Sequence, residues 1–139
     1  MTDLALPITA RYAPPATVSA DELIRLRAMA ARTRGTLGAG LLARRLETAR
    51  VLDPALLPPR VARLYSWVGY HDDGIGRKRQ GRLVPPAEAD LYARRISVCS
   101  PIGAALIGLE EGRSIDWPDQ YGGVRRLTLL SVEPPEAQP

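Results

Sequence analysis

Apolar positions in residues 20–50 recur with a helical period. Leu23, Leu26 and Ala30 share one stripe, and Leu42, Leu46 and Ala49 share another. This is the i, i+3/i+4, i+7 spacing of a helix face turned toward a core. Ser19-Ala20-Asp21-Glu22 precedes the first stripe with the residues of a capping box. The Ser19 hydroxyl is expected to accept from the N–H three residues on, while Glu22 reaches back. A helix from Ser19 to about Thr33 is predicted. RGTLGAG, at 34–40, supplies a turn. A second helix is predicted from about Ala39 to Arg50, with Pro54 preventing it from going much further. The two form a short antiparallel αα-hairpin, each helix on the order of 20 Å long.

From Val61 the pattern turns to strand. VARLYSWVGY (61–70) is rich in β-branched and aromatic residues and predicts a strand. HDDGIG (71–76) is a turn, and Arg77–Val84 pairs back with its apolar residues confined to Leu83 and Val84. Two prolines make PPAEAD (85–90) a loop. Further strands are predicted at Arg95–Cys99, Ser114–Trp117 and Val124–Glu133, the last two joined by the turn PDQYGG. Between them Ile102, Ala105, Leu106 and Leu109 mark one face of a helix about two turns long. Ser100 stands at its N-cap, Pro101 at its first position, and Gly112 offers a left-handed stop. So short a helix cannot hold itself together in water and must dock on a sheet. The predicted fold is α+β. Residues 1–18 are an extended or loosely docked tail, and 19–52 a short antiparallel helical hairpin. Residues 53–135 form an antiparallel sheet of about five strands with one short helix, and 136–139 a frayed tail.

Composition narrows the chemistry. The 139 residues suffice for one domain and a small appendage. No apolar run approaches the ~18 residues of a membrane-spanning helix. MTDLALPITARYAPP lacks a basic-then-apolar signal pattern, so a cytoplasmic location is expected. Cys99 is the only cysteine, which leaves no intrachain disulfide and no cysteine-based metal site. His71, the only histidine, falls in the HDDG turn, so a Ser–His or Cys–His pair would rest on a solvated residue. No phosphate loop, zinc spacing or dinucleotide fingerprint is present, and no cofactor is implied.

The net charge of +4 is unevenly placed: residues 19–50 and 60–99 each carry +4, and residues 100–139 carry −3. Such bipolarity suits nucleic acid or an acidic protein surface. Arg25, Arg27, Arg32, Arg34, Arg44 and Arg45 are the candidate basic face. No aromatic residue interleaves with them to stack a base, so nucleic acid bound there would be held nonspecifically and salt-sensitively. Asp72, Asp73, Glu88 and Asp90 are a candidate carboxylate cluster. Asp116 and Asp119 flank Trp117-Pro118 and are expected to shape a turn.

LVPPAEADLYARRISVCSPIGAALIGLEEG (83–112) resembles the C-terminal domain of the bacterial GreA/GreB transcript-cleavage factors. Glu88-Ala89-Asp90, Ile96-Ser97, Ser100-Pro101-Ile102-Gly103, Ala105-Leu106-Ile107-Gly108 and Gly112 carry the likeness, and GGVRRLTLLSVEPP (122–135) looks like that domain's last strand. The resemblance implies an FKBP-like fold that docks on RNA polymerase near its secondary channel. It marks Ser100 and Pro101 as contact residues, with Cys99 and Gly103 as neighbours. Cys99 stands where the family often has an acid, and Arg113 follows Gly112 where the family has Asp.

The N-terminal part departs further. Those factors carry a long coiled-coil arm whose acidic tip holds a metal. Here the arm has about a dozen residues per helix, and its tip, RTRGTLGAG, has no carboxylate. In arm length, and in LETARVLDPALLPP and IGLEEGRSIDW, the chain resembles the family's short-armed branch, the regulators of nucleoside diphosphate kinase. The implied function is a non-enzymatic regulator that binds RNA polymerase without stimulating transcript cleavage. Alternatives are a basic nucleic-acid-binding module and a regulator of a nucleotide kinase through protein contact. Prolyl isomerisation, suggested by fold analogy alone, needs a deep aromatic pocket. With no Phe, only Tyr65, Trp67, Tyr70, Trp117 and Tyr121 are available. A monomer is expected, although the thin stripe of the hairpin leaves pairing with a second copy open.

Overall fold

Both helical stripes form. The structure, a computed structural model, describes residues 14–118 and 121–135; the tail at 136–139, residues 1–13 and Asp119 lie outside the described residues. Helix α1 (Ala20–Arg32) starts at Ser19, whose Oγ accepts from the Glu22 N–H at 3.2 Å. The returning half of the expected capping box is replaced. Glu22 Oε2 accepts from the Leu64 N–H at 3.2 Å and lies 3.4 Å from Arg63 Nε, so the side chain ties α1 to the next part of the chain. Helix α2 (Leu37–Glu47) starts earlier than its glycines suggest, because the Thr36 hydroxyl caps it by accepting from the Ala39 N–H. Gly35, at φ +96°, makes the turn between the helices.

Strands β1 (Thr17–Ser19) and β2 (Arg50–Leu52) pair in parallel across the base of the hairpin. Residues 16–18, expected in a loosely docked tail, are buried, with Ala16 and Val18 fully enclosed. The Thr17 N–H donates to Gly108 O at 2.9 Å, and the Arg50 N–H donates to Ala16 O at 2.8 Å.

The main sheet contains β3 (Trp67–Asp72), β4 (Arg77–Val84), β5 (Arg95–Ser97), β6 (Ser114–Pro118) and β7 (Val124–Glu133), in the order β5-β4-β3-β7-β6. It is mixed rather than wholly antiparallel. Residues 85–94 loop back only as far as Arg82, so β5 runs beside the last three residues of β4, Arg82–Val84, in parallel. Strand β3 starts six residues after Val61. Val61 forms only an isolated bridge to Glu110, and Tyr65 at φ +71° breaks the extended run. His71 therefore lies in β3, half-buried, and not in the turn.

Helix α3 (Pro101–Leu106) packs between the sheet and α2. It stops short of the predicted two turns because Gly108, at φ +74°, turns the chain. One continuous core runs from Leu26, Leu41, Leu42 and Leu46 of the hairpin through Leu106 to Ile115, Leu127 and Leu129 of the sheet. The hairpin is thus laid along the domain and is not an arm standing in solvent.

Candidate functional site

The start of α3 is built from short polar contacts. Ser100 Oγ accepts from the Gly103 N–H at 3.1 Å and donates to Ser97 O at 2.6 Å. Ser97 Oγ accepts from the Cys99 N–H at 3.0 Å. Pro101 occupies the first helical position, where its missing N–H costs nothing. Gly103 is required: a β-carbon there would lie 1.9 Å from Ser97 O. Of the four residues marked by resemblance, Ser100 and Pro101 reach the surface, half-buried. Cys99 is only 7 % exposed, and Gly103 is buried. As a correction, neither presents a side chain on the face marked by resemblance: Gly38 of α2 lies against the Cys99 carbonyl, and Ser97 and Val98 lie against Gly103.

Helix α2 holds α3 at both ends. Near its own start, Gly38 lies so close to the Cys99 carbonyl that a β-carbon would sit 2.0 Å from its oxygen. Near its finish, Arg45 Nη1 donates to Ala104 O and Ala105 O at 3.0 Å and also to Ile107 O. Arg45 Nε donates to Pro14 O at 3.1 Å. A helix leaves its last carbonyls without partners, and Arg45 supplies donors for those of α3. The expectation of Arg45 on a basic contact face is therefore corrected. It is 3 % exposed, and burial lowers its guanidinium to about 9, still cationic at neutral pH. The sequence carried a signal of this, since Arg45 falls among Leu41, Leu42 and Leu46, on the apolar stripe itself.

The remaining hairpin arginines divide. Arg25, Arg27, Arg32 and Arg34 are exposed, and Arg44 is half-buried. Because Gly38 abuts Cys99, the start of α2 lies against the residues that lead into α3. A cleft of about 550 Å³ opens beside Pro101, lined by Tyr70, Ile75, Leu91, Ile102, Trp117 and Leu127 among others. Of the five aromatic residues considered for a proline pocket, only Tyr70 and Trp117 meet there. Tyr65 instead donates its hydroxyl to Glu88 Oε2 at 2.6 Å, with Arg82 over its ring, and that bond holds its phenol above the ordinary range. Trp67 is partly exposed at the start of β3, and Tyr121 is exposed.

The candidate carboxylates are dispersed. Asp72 is buried against Arg125, whose Nε donates to it at 3.1 Å. Asp73 is exposed, Glu88 holds Tyr65, and Asp90 caps the turn that follows it. Asp116 accepts from Arg126 Nε at 2.8 Å, a bond that holds its carboxyl below the usual range. No group of three or more His, Cys, Asp or Glu suited to a metal ion occurs among the described residues. No helix among them is long and apolar enough to cross a membrane.

The capped helix on a mixed sheet corresponds to a known family. The family described as "Transcription elongation factor, GreA/GreB, C-term" matches residues 57–134. The chain belongs to the GreA/GreB family. Its relatives include the regulator of nucleoside diphosphate kinase of Escherichia coli (strain K12), 36% identical over 93 residues, which are 66% of this chain and 68% of that protein. GreA of Syntrophobacter fumaroxidans is 43% identical over 67 residues, 48% of this chain but 42% of that factor. Among solved structures, a GreA/GreB factor from Nitrosomonas europaea superposes with a TM-score of 0.66 at 32% identity, covering 86% of this chain and 98% of that one. Within the GreA/GreB family the chain thus shares its architecture with a protein matched almost end to end, whereas the likeness to GreA itself spans less than half of that factor. These relatives are transcription elongation factors and regulators.

Proposed function

We propose that the chain is a non-enzymatic regulator that binds RNA polymerase near its secondary channel and does not stimulate transcript cleavage. The observation that carries this reading is the hairpin. Its tip is Thr33-Arg34-Gly35-Thr36, and its three acids stand at its base: Asp21 and Glu22 in the first turn of α1, Glu47 at the end of α2. Holding a hard divalent ion takes several oxygen ligands, carboxylates foremost. The tip offers none and adds the charge of Arg34, so the residues present do not fit the metal that long-armed relatives carry. The hairpin is short and laid along the domain. It acts as part of one rigid face with Ser100 and Pro101.

The test is binding of the purified chain to core RNA polymerase at two salt concentrations, with a GreA/GreB factor as competitor. Salt-tolerant binding that the competitor displaces is expected, together with no cleavage of backtracked transcripts. Pro101→Arg puts a charge on the contact face at a position whose N–H is not needed. It is expected to weaken binding with an unchanged circular-dichroism spectrum. Binding unaffected by Pro101→Arg would remove α3 from the interface. Absent polymerase binding, with association to a nucleoside diphosphate kinase instead, would replace this function with the one named for the Escherichia coli relative.

A further inference from the structure

Strand β5 covers only Arg82–Val84 of β4, so Arg77–Gly81 is an uncovered edge. Beside it lies a cleft of about 680 Å³ whose lining includes Arg77, Lys78, Arg79, Arg94 and Arg95 and no carboxylate. All five are exposed, and none forms an ion pair with a described residue. Cations elsewhere are treated differently: Arg125 is matched by Asp72, Arg126 by Asp116 and Arg60 by Glu111. A few charges suffice to keep an edge strand from pairing with another chain. Five unmatched cations around one concavity build a potential that draws in a polyanion.

The turn bordering this cleft is tightly built. Asp90 Oδ1 accepts from the Tyr92 N–H at 3.0 Å and the Ala93 N–H at 3.4 Å. The Asp90 N–H donates to Arg95 O at 3.0 Å, and the Arg95 N–H returns the bond to Asp90 O at 2.8 Å. Closing the turn puts Arg94 at φ +57°, a region that residues with a β-carbon avoid. The turn holds Leu91 and Tyr92 outward, 92 % and 101 % exposed. An aromatic ring held in solvent between two residues that line a basic cleft is a platform for a base.

We propose that the β4 edge and the 90–94 turn form a binding site for single-stranded nucleic acid, with phosphates along the guanidinium groups and a base on Tyr92. The site is separate from the arginines of the hairpin and does not depend on polymerase binding. The test is fluorescence anisotropy of labelled homopyrimidine RNA and DNA strands with the full chain over a range of salt. Five phosphate contacts predict a slope of log K against log salt of about −3.5. Tyr92→Ala is expected to bind about 5- to 150-fold more weakly with an unchanged thermal midpoint. Arg94→Gly removes one contact and relieves the backbone, so the slope becomes shallower by about 0.7 while the thermal midpoint holds or rises. Affinity unchanged in Tyr92→Ala would overturn the proposal. So would duplex or inorganic polyphosphate bound as tightly as the single strand, or a loss confined to Arg32→Gln and Arg34→Gln on the hairpin.

Discussion

Gly38→Ala puts the docking of the hairpin to a test in which the sign of the effect decides. In a helix standing free in solvent, Ala is favoured over Gly by about 1 kcal/mol. If the hairpin were an independent arm, the substitution would stabilise the protein. In the structure the new β-carbon would lie 2.0 Å from Cys99 O and 2.7 Å from the Ser100 carbonyl carbon, whereas ordinary contact begins at 3.4 Å. Both are backbone atoms, so no side-chain rotation relieves the overlap, and α2 must lift from the start of α3. Overpacking of this kind costs about 1–3 kcal/mol. The upper end applies here, and the helix-propensity gain offsets a third of it. The net cost is about 2 kcal/mol, or a midpoint lower by about 8 °C for a domain of this size. Gly40 is the control, because it lies in the same helix with nothing within 4 Å of its added β-carbon. Gly40→Ala should raise the midpoint by about 4 °C. Thermal unfolding of the two variants followed by circular dichroism makes the comparison. A midpoint raised in both would refute the docking.

Three further substitutions probe the same scaffold. Arg45→Ala strips donors from three carbonyls at the end of α3 and should cost about 3 kcal/mol, read as a lower urea midpoint at constant slope; an unchanged midpoint would mean that water serves those carbonyls as well. Glu22 is raised above the ordinary carboxylate value by burial, against the lowering effect of Arg63 and the Leu64 N–H. The folded chain therefore keeps this proton to higher pH than the unfolded chain, and ionising it costs stability as pH rises through that window. Glu22→Gln stays neutral, so its stability relative to the unsubstituted protein should improve as pH rises through and above the ordinary carboxylate range; a relative stability that falls as pH rises there contradicts the assignment. Gly103→Ala would place a β-carbon 1.9 Å from Ser97 O and displace Ser100 from its cap. It should lower the thermal midpoint by several degrees and weaken polymerase binding together, and loss of only one of the two would separate the cap from the contact surface.

The elements whose cause is local were legible in the sequence. Ser19 and Ser100 announce their helices because a hydroxyl placed three residues before an orphan N–H does the same work in any protein. The exposed half of β4 showed in its run of polar residues. Contacts between distant segments were not legible. Glu22 carries the residue type of a capping box, yet its carboxylate serves Leu64, forty-two residues away. Arg45 reads as surface by residue type, and only its place among three leucines hints that its stem crosses the core to reach carbonyls. The parallel pairing of β5 and the late start of β3 follow from chain paths through 85–94 and Tyr65, which no periodicity encodes. At the candidate site, Ser100 and Pro101 were visible from capping and resemblance. The burial of Cys99 depends on Gly38, and a glycine in a sequence does not say what it makes room for.

The way α2 lies along α3 also bears on how such proteins change over evolutionary time. Gly38 packs against the backbone at Cys99, and Thr33–Thr36 before it form a turn held by local hydrogen bonds. Residues inserted at Arg34-Gly35 would leave both the Gly38 contact and the Thr36 cap of α2 in place. Each added heptad per helix would push the tip outward by about 10 Å while keeping the same stripe toward its partner. Arm length is thus a nearly independent variable on a fixed base. A short, blunt hairpin and a long one can stand on the same base through insertion or deletion at one turn, with the packing of α2 on α3 and the core left in place.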